Sequence, residues 1–162
     1  MSEKLRNLRD ALGHFATGVA IITAQGEGGL PLGLTINSFA SVSLEPPLVL
    51  WSLDRKSDRF DAYMKAEYFA VNILGDANQA LSHRLSRKGE FTLEGEPVRM
   101  GAHGIPMLSC AIASFECRVE ARHDGGDHVI FVGRVLDFAH SSHGRPLVYY
   151  RGRYRILADG EN

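Results

Sequence analysis

Short runs of β-branched and other apolar residues, separated by turns that contain glycine or proline, recur along almost the whole chain. Such runs favour antiparallel strands, and the short connections between them favour hairpins. The pattern predicts a mainly β fold with peripheral helices, a six- to seven-stranded antiparallel barrel in a single domain over residues 1–162. The predicted strands are 18–24, 30–36, 48–53, 68–74, 114–120, 129–136, 146–150 and 153–157.

An apolar stripe at helical spacing follows Ser2, a residue that suits a helix N-cap. The stripe predicts an amphipathic helix over residues 3–16 that covers one side of the sheet. Its members are Leu5, Leu8, Leu12 and Phe15.

Two further helices are predicted between strands. Ser57 suits the N-cap of a helix over 57–66, and Asp76 with Gln79 has the capping-box spacing for a short helix that ends near residue 85. The first of these helices is expected to turn an apolar stripe inward, consisting of Phe60, Tyr63 and Met64.

The second half of the chain contains a long segment without periodicity and then a strictly alternating strand. Residues 86–105 hold four glycines and a proline, which predicts a loop of functional length. In the strand 114–120, Phe115, Cys117 and Val119 share one face, so the opposite face is expected to contact water.

Charge and cysteine content exclude several classes of protein. With 18 basic and 19 acidic residues the net charge is −1, which argues against nucleic acid or an anionic membrane as the main partner. The charged amino terminus and the absence of an apolar run of about 20 residues predict a cytoplasmic protein.

Cys110 and Cys117 are expected to be buried, reduced thiols, because their odd spacing on one strand would point them to opposite faces. No metal site is predicted, since His140 and His143 lack further ligands at a suitable spacing.

Polar and apolar residues alternate between residues 35 and 43 in a way that suits a flat heteroaromatic ligand. Such a ligand needs an apolar slot and a few donors for its polar edge. The alternative interpretation, given equal weight, is a serine-rich loop between two strands. The polar residues are Thr35, Asn37, Ser38, Ser41 and Ser43, and the apolar ones are Ile36, Phe39, Ala40 and Val42.

A group of hydroxyls and cations stands between the strand 48–53 and the helix that follows it. Ser52, Arg55, Lys56 and Ser57 predict an anion site for a phosphate, because unpaired amides at a helix start add to them. The alternative is solvated charge beside an ordinary N-cap.

One histidine and three tyrosines can contribute to such a site. His128 precedes an apolar strand and can bond a nicotinamide carboxamide or assist a proton step, although a lone histidine in a turn is more often a surface residue. Tyr149, Tyr150 and Tyr154 can stack on a cofactor, with barrel packing as the alternative. The chain has no nucleophile elbow, no Walker-type loop and no dinucleotide-binding glycine fingerprint.

Five segments in register resemble the short-chain flavin reductases, the reductase components of two-component monooxygenases such as those that hydroxylate 4-hydroxyphenylacetate. The resemblance extends from about residue 8 to 156. The segments are 15–19, 33–47, 69–74, 126–128 and 146–150.

The resemblance implies an FMN-binding split barrel of Greek-key topology, usually a homodimer with flavin held between the subunits. Residues 35–43, including Val42, would border the isoalloxazine ring and the ribityl chain, and Ser52, Arg55, Lys56 and Ser57 would hold the phosphate. His128 matches a histidine near the nicotinamide site. The segment 84–91, with Arg87, Lys88 and Phe91, corresponds to one that approaches the flavin, and Tyr154 is assigned to the same cofactor site.

The implied reaction is hydride transfer from NADH or NADPH to FMN or FAD, so that reduced flavin reaches a partner monooxygenase. Positioning of the two rings would be the main task of the protein. Two alternatives stay open: a reductase of the same fold that acts on a bound acceptor, such as a cob(II)alamin-type corrinoid, a ferric complex or a quinone, and a non-catalytic flavin- or haem-binding split-barrel module or plain interaction domain. Neither the flavin nor the nicotinamide nucleotide is specified by the residues.

Overall fold

The structure is a computed structural model, and it describes residues 2–158. Within this range the chain forms three α-helices and twelve β-strands. In chain order they are α1 Glu3–Leu12, β1 Thr17–Gly18, β2 Ala20–Gln25, β3 Pro31–Ile36, β4 Ala40–Leu44, β5 Pro47–Asp54, α2 Phe60–Lys65, β6 Tyr68–Leu74, α3 Gln79–Leu85, β7 Val98–Met100, β8 Pro106–Leu108, β9 Ala111–Gly125, β10 His128–His140, β11 Leu147–Tyr150 and β12 Arg153–Ile156.

Seven strands form one antiparallel sheet in the order β3-β2-β6-β9-β10-β5-β4. The two edge strands, β3 and β4, are consecutive in the chain and are joined by residues 37–39 alone. Because so few residues span roughly 10–15 Å at most, the sheet has to curl until its edges approach each other. Strands β1, β11 and β12 form a second sheet, and β7 pairs with β8. The predicted mainly β, antiparallel architecture is confirmed.

The core inside the curled sheet is built around Trp51 of β5. Its ring stacks on Phe131 at 4.5 Å and meets the edges of Tyr63 at 5.4 Å and Phe69 at 5.8 Å. The inward side chains of β5 alternate with Ser52 and Asp54, which therefore lie on the opposite face of the strand. Packing of the tryptophan thus fixes where these two polar side chains stand.

Helix α1 begins as predicted but ends earlier and covers less. Ser2 is its N-cap, with the hydroxyl oxygen accepting from the Leu5 amide at 3.3 Å, and Gly13 ends the helix three residues before the predicted boundary. No residue of α1 is buried, and Phe15 is 79% exposed. The prediction that this helix covers the sheet is wrong, because periodicity shows that a face is apolar but not what it packs against.

Both predicted N-caps of the other helices are wrong. Helix α2 begins at Phe60, and the Ser57 hydroxyl accepts from the Arg59 amide at 3.2 Å in the turn before it. A short 3₁₀ turn precedes α3, and Asp76 accepts a hydrogen bond from Arg145 at 3.1 Å instead of capping the helix. A local turn has taken the Ser57 hydroxyl, and a tertiary contact has taken the Asp76 carboxylate. The inward stripe of α2 is confirmed, with Tyr63 buried and its neighbours partly buried against the core.

The face of β9 that was expected to contact water is covered at Ser114 and Glu116, whereas Arg118 and Glu120 on the same face are exposed as predicted. Ser114 and Glu116 are buried under the segment 99–108, which contains the short hairpin of β7 and β8. The Glu116 carboxylate accepts from the amides of Ala102 at 3.1 Å and His103 at 2.8 Å. The loop prediction for 86–105 missed this hairpin, because burial of a carboxylate by backbone donors leaves no apolar pattern in the sequence.

The two cysteines are both free and differ in their surroundings. Cys117 is buried as predicted, whereas Cys110 is exposed, which contradicts the prediction. Burial, with a contribution from the charge of Glu116, raises the pKa of Cys117 to about 12, so this thiol stays protonated at neutral pH.

The structure also bears on membranes and metals within residues 2–158. In this range no helix is long and apolar enough to cross a membrane, and no group of three or more His, Cys, Asp or Glu side chains could hold a metal ion. A single domain over 1–162 stays a prediction.

Candidate active site

Two adjoining cavities open where β3 ends. The first, the tyrosine cavity, has a volume of about 490 Å³. It is lined by Val19, Thr35, Ile36, Asn37, His83, Ser86, Tyr149, Gly152 and Tyr154. Strands β3, β11 and β12 and helix α3 contribute its walls, so it forms only when the small sheet docks against the large one.

The second, the serine cavity, has a volume of about 210 Å³. It is lined by Leu34, Thr35, Ile36, Asn37, Ser38, Ser52, Asp54, Ser57 and His128. Because both cavities share Thr35, Ile36 and Asn37, they form one continuous groove, with aromatic rings at one end and hydroxyls at the other.

Hydrogen bonds hold the tyrosine end together. The Thr35 hydroxyl donates to the Ser82 carbonyl at 2.8 Å, and the Ser82 and Tyr154 hydroxyls bond to each other at 2.8 Å. Tyr154 in turn meets the edge of Tyr149 with ring centroids 5.6 Å apart. Buried Ser82 therefore links β3, α3 and β12, which keeps the tyrosine rings in place before any ligand arrives.

The hydroxyl end joins three separate segments of the chain. The Ser38 hydroxyl oxygen accepts from the Ser52 amide at 3.0 Å, so the 37–39 connection lies against β5. Asp54 accepts from the Lys56 amide at 2.8 Å, and this bond directs one carboxylate oxygen at the turn. Ser57 follows in the same turn and lines the cavity, whereas the exposed side chain of Lys56 does not line it.

His128 lies at the start of β10, opposite Asp54 in the strand register. Its Nδ1 is 2.7 Å from the Asp127 carboxylate. The hydrogen bond to His128, together with the imidazolium charge and a smaller contribution from Lys56, lowers the pKa of Asp127. When Nδ1 donates to this carboxylate, Nε2 remains free to bond a ligand.

Arg55 and the residues of β4 do not line the groove. The Arg55 guanidinium pairs with Asp124 and donates to the Gly126 carbonyl at 3.1 Å, so it holds the β9–β10 turn. Ser41, Val42 and Ser43 lie on the exposed edge strand β4, where the register shifts by a bulge. Their assignment to a flavin site stays a prediction.

Arg87 and Phe91 stand one layer behind the tyrosine cavity. Arg87 lies 3.3 Å from Nδ1 of His83, which does line the cavity. The Phe91 carbonyl accepts from the Gly33 amide at 2.8 Å, and the Phe91 ring lies beneath the Arg59 guanidinium at 5.8 Å from its centroid. Both residues can act on the groove through their neighbours.

Comparison with known proteins places this arrangement in a family. Residues 12–158 match the family described as flavin reductase like domain. The chain belongs to the flavin reductase family. The family predicted from the sequence is therefore confirmed.

Relatives in this family share most of the chain. The FMN reductase (NADH) SmoA of Agrobacterium fabrum is 44% identical over 152 residues, which is 94% of this chain and 86% of SmoA. HsaB of Rhodococcus jostii, the reductase subunit of a flavin-dependent monooxygenase, is 38% identical over 92% of this chain and 76% of its own. The names of these relatives do not favour the corrinoid, ferric or haem alternatives.

A solved structure matches the fold over its full extent. The NADH:FAD oxidoreductase SgcE6 of Streptomyces globisporus, in complex with NAD and FAD fragments, has a TM-score of 0.91 and 30% identity. The match covers 100% of this chain and 98% of SgcE6. The split-barrel fold predicted for this flavin reductase is confirmed.

Several residues that line the groove of this flavin reductase were absent from the predicted site. They are Val19, Leu34, Asp54, His83, Ser86, Tyr149 and Gly152. Tyr149 had been considered for stacking, and Gly152 with Arg151 forms the positive-φ turn between β11 and β12. Ser86 lies within the segment 84–91 that the resemblance assigned to the flavin, although it was not singled out, and the signal for His83 was a polar face on α3, which surface helices share generally.

Proposed function

We propose that this chain is an NAD(P)H-dependent flavin reductase that transfers a hydride from reduced nicotinamide to FMN or FAD. The observation that supports it is the continuous groove along Thr35, Ile36 and Asn37, apolar and aromatic at one end and rich in hydroxyls at the other. A flavin has the same polarity, with a flat ring system at one end and a ribityl phosphate at the other.

The residues present fit a flavin. Val19, Ile36 and the two tyrosines offer an apolar slot, and the side-chain amide of Asn37 forms no hydrogen bond within residues 2–158, so it is available for the polar ring edge. Ser38, Ser52 and Ser57 suit the ribityl chain and the phosphate, and Lys56, exposed and next to Ser57 in sequence, adds a positive charge nearby. In this proposal the phosphate would lie at the end farthest from the tyrosines.

Catalysis by this chain would consist mainly of positioning. When bound, the flavin supplies N5 as the acceptor for the hydride that leaves C4 of the nicotinamide, with a proton taken from solvent. The protein would hold the ring on one face and leave the other face open to the nicotinamide, and His128, at the hydroxyl end of the groove, would bond the nicotinamide nucleotide. We expect NADH as the donor, because SmoA and SgcE6 are both named for it.

A homodimer is part of the proposal. Many large apolar side chains of this chain are exposed, which marks an interaction surface. Leu44 is 94% exposed, and the β4–β5–β10 register places it at the same end of the sheet as Leu136 and Phe138. A second copy would cover this surface together with the exposed stripe of α1, and sedimentation equilibrium should give twice the chain mass.

Reduced flavin produced here would serve a partner monooxygenase, since HsaB is named as the reductase subunit of a flavin-dependent monooxygenase. The test is direct. Purified protein should bind FMN or FAD and should accelerate oxidation of NADH by added flavin, with release of reduced flavin to solution. Absence of both binding and turnover with all four pairs of flavin and nucleotide would refute the proposed flavin reductase activity.

The predicted cytoplasmic location stays a prediction.

Replacing His128 by alanine should raise the KM for NADH about tenfold, the effect expected for one lost hydrogen bond, while the flavin Kd changes less than about twofold. The side chain lies at the edge of the serine cavity with Nε2 free, and it makes no contact that holds the cavity walls. Steady-state kinetics and flavin fluorescence titration measure the two constants. His123→Ala, an exposed histidine of the same hairpin, is the control. Equal loss of both affinities in His128→Ala would make its role structural.

A further inference from the structure

Two residues at the start of α2 hold the loop that follows α3. The Arg59 guanidinium donates to the carbonyls of Arg87 at 2.8 Å and Glu90 at 2.7 Å. Asp58 accepts from the Gly89 amide at 2.6 Å. Three backbone groups of the segment 87–90 are therefore bonded to two adjacent side chains, an arrangement we call the loop clamp.

The loop clamp is costly to break because its cation is buried. The Arg59 side chain is only 4% exposed, and it pairs with Asp58 at 3.3 Å and lies over the Phe91 ring. A buried guanidinium without its acceptors would be strongly unfavourable, so the contacts hold one geometry of the loop. Neither residue was assigned to the binding site from the sequence.

The position of the loop clamp connects both ends of the groove. Asp58 and Arg59 directly follow Ser57 of the serine cavity, and the clamped segment directly follows Ser86 of the tyrosine cavity. The Phe91 carbonyl is also bonded to the Gly33 amide of β3. The clamp thus sets the distance between two groove walls, while its own side chains line neither cavity.

We propose that Asp58 and Arg59 are positioning residues for flavin binding. This proposal rests on the proposed flavin reductase function. The loop clamp keeps the segment 87–91 ordered beside the groove before flavin arrives, so that binding does not have to order it. Without the clamp, flavin affinity falls, whereas the nicotinamide, which contacts flavin already in place, is affected much less.

The experiment compares Asp58→Ala with Asp61→Ala, an exposed carboxylate on the same short helix that forms no hydrogen bond or ion pair within residues 2–158. In Asp58→Ala, amide hydrogen exchange of residues 87–91 without flavin should accelerate at least tenfold. The Kd for FMN should rise about tenfold, as expected for one charge-assisted hydrogen bond, while the NADH KM and kcat at saturating FMN stay within about twofold. Asp61→Ala should match the wild type throughout.

A conservative variant separates positioning from general damage. Asp58→Asn keeps an oxygen acceptor for the Gly89 amide, so it should restore most of the exchange protection and of the FMN affinity. The proposal is overturned if exchange in Asp58→Ala is unchanged, if exchange accelerates with no change in FMN Kd, or if the NADH KM rises as much as the Kd. Lack of binding of both FMN and FAD by the wild type would instead refute the flavin reductase function, while the exchange measurement still tests the clamp itself.

Discussion

Replacement of Asn37 by tryptophan is expected to weaken flavin binding by at least about 100-fold, equivalent to about 2.8 kcal/mol, and to remove flavin turnover with it. Asn37 is the point where the two cavities of the groove meet, and it also lines a third cavity of about 680 Å³ beside α1. An indole ring there would occupy the space between the tyrosine and serine ends. A flavin could then reach one end or the other but not both.

The fold should tolerate this change, because Asn37 is exposed and forms no hydrogen bond within residues 2–158. Flavin fluorescence titration measures affinity, and circular dichroism with thermal unfolding checks the fold. Lys65→Trp, on the exposed side of α2, controls for the effect of adding an aromatic surface residue. An unchanged flavin Kd in a folded Asn37→Trp protein would show that flavin binds elsewhere.

Replacement of Trp51 by alanine is expected to lower the free energy of unfolding by about 3–5 kcal/mol. The side chain is fully buried and contacts three other rings, so its removal leaves a cavity that the curled sheet cannot close. Urea denaturation followed by circular dichroism measures the loss. A decrease of less than about 1 kcal/mol would contradict the central position of this ring in the core.

Trp51→Phe is the matched variant for that measurement. It preserves an aromatic ring for stacking on Phe131, and it removes the indole N–H, a buried donor with no hydrogen-bond partner among residues 2–158. We therefore expect a loss below about 2 kcal/mol, since the smaller ring costs packing while the unpaired donor no longer has to be buried. The difference in the free energy of unfolding between Trp51→Ala and Trp51→Phe measures what an aromatic ring at this position contributes to stability.

The strands and hairpins could be predicted because their signals are local. Glycine turns and β-branched runs define β2–β3 and β11–β12, and both hairpins were found with boundaries close to those observed. Strand β4 was not found as a strand, because serine-rich segments resemble loops and its edge position requires no apolar alternation. The extra length of β9 and β10 was missed for the same reason, since their ends carry polar residues.

Part of the candidate site could be predicted, because the resemblance to the flavin reductases indicated which segments of the chain contribute to it. Thr35, Asn37 and Ser38 do meet Ser52, Ser57 and His128 around the serine cavity. Arg55 does not join them, because its guanidinium pairs with Asp124 of the β9–β10 hairpin. Whether an arginine pairs with a carboxylate or faces a phosphate site depends on distances in space, which the sequence does not give. His83 and Ser86 entered the groove only through the docking of α3.

By itself, the sequence of this flavin reductase determined the mainly β architecture, most strand positions, the N-cap of α1 and the family. These depend on local propensities and on the order of short motifs, which act over a few residues. Only the tertiary structure decided that Glu116 is buried, that the apolar face of α1 is left open and that Arg59 clamps a loop. Each of these outcomes depends on whether a charge or an apolar surface finds a partner distant in sequence, and no local pattern records that partner.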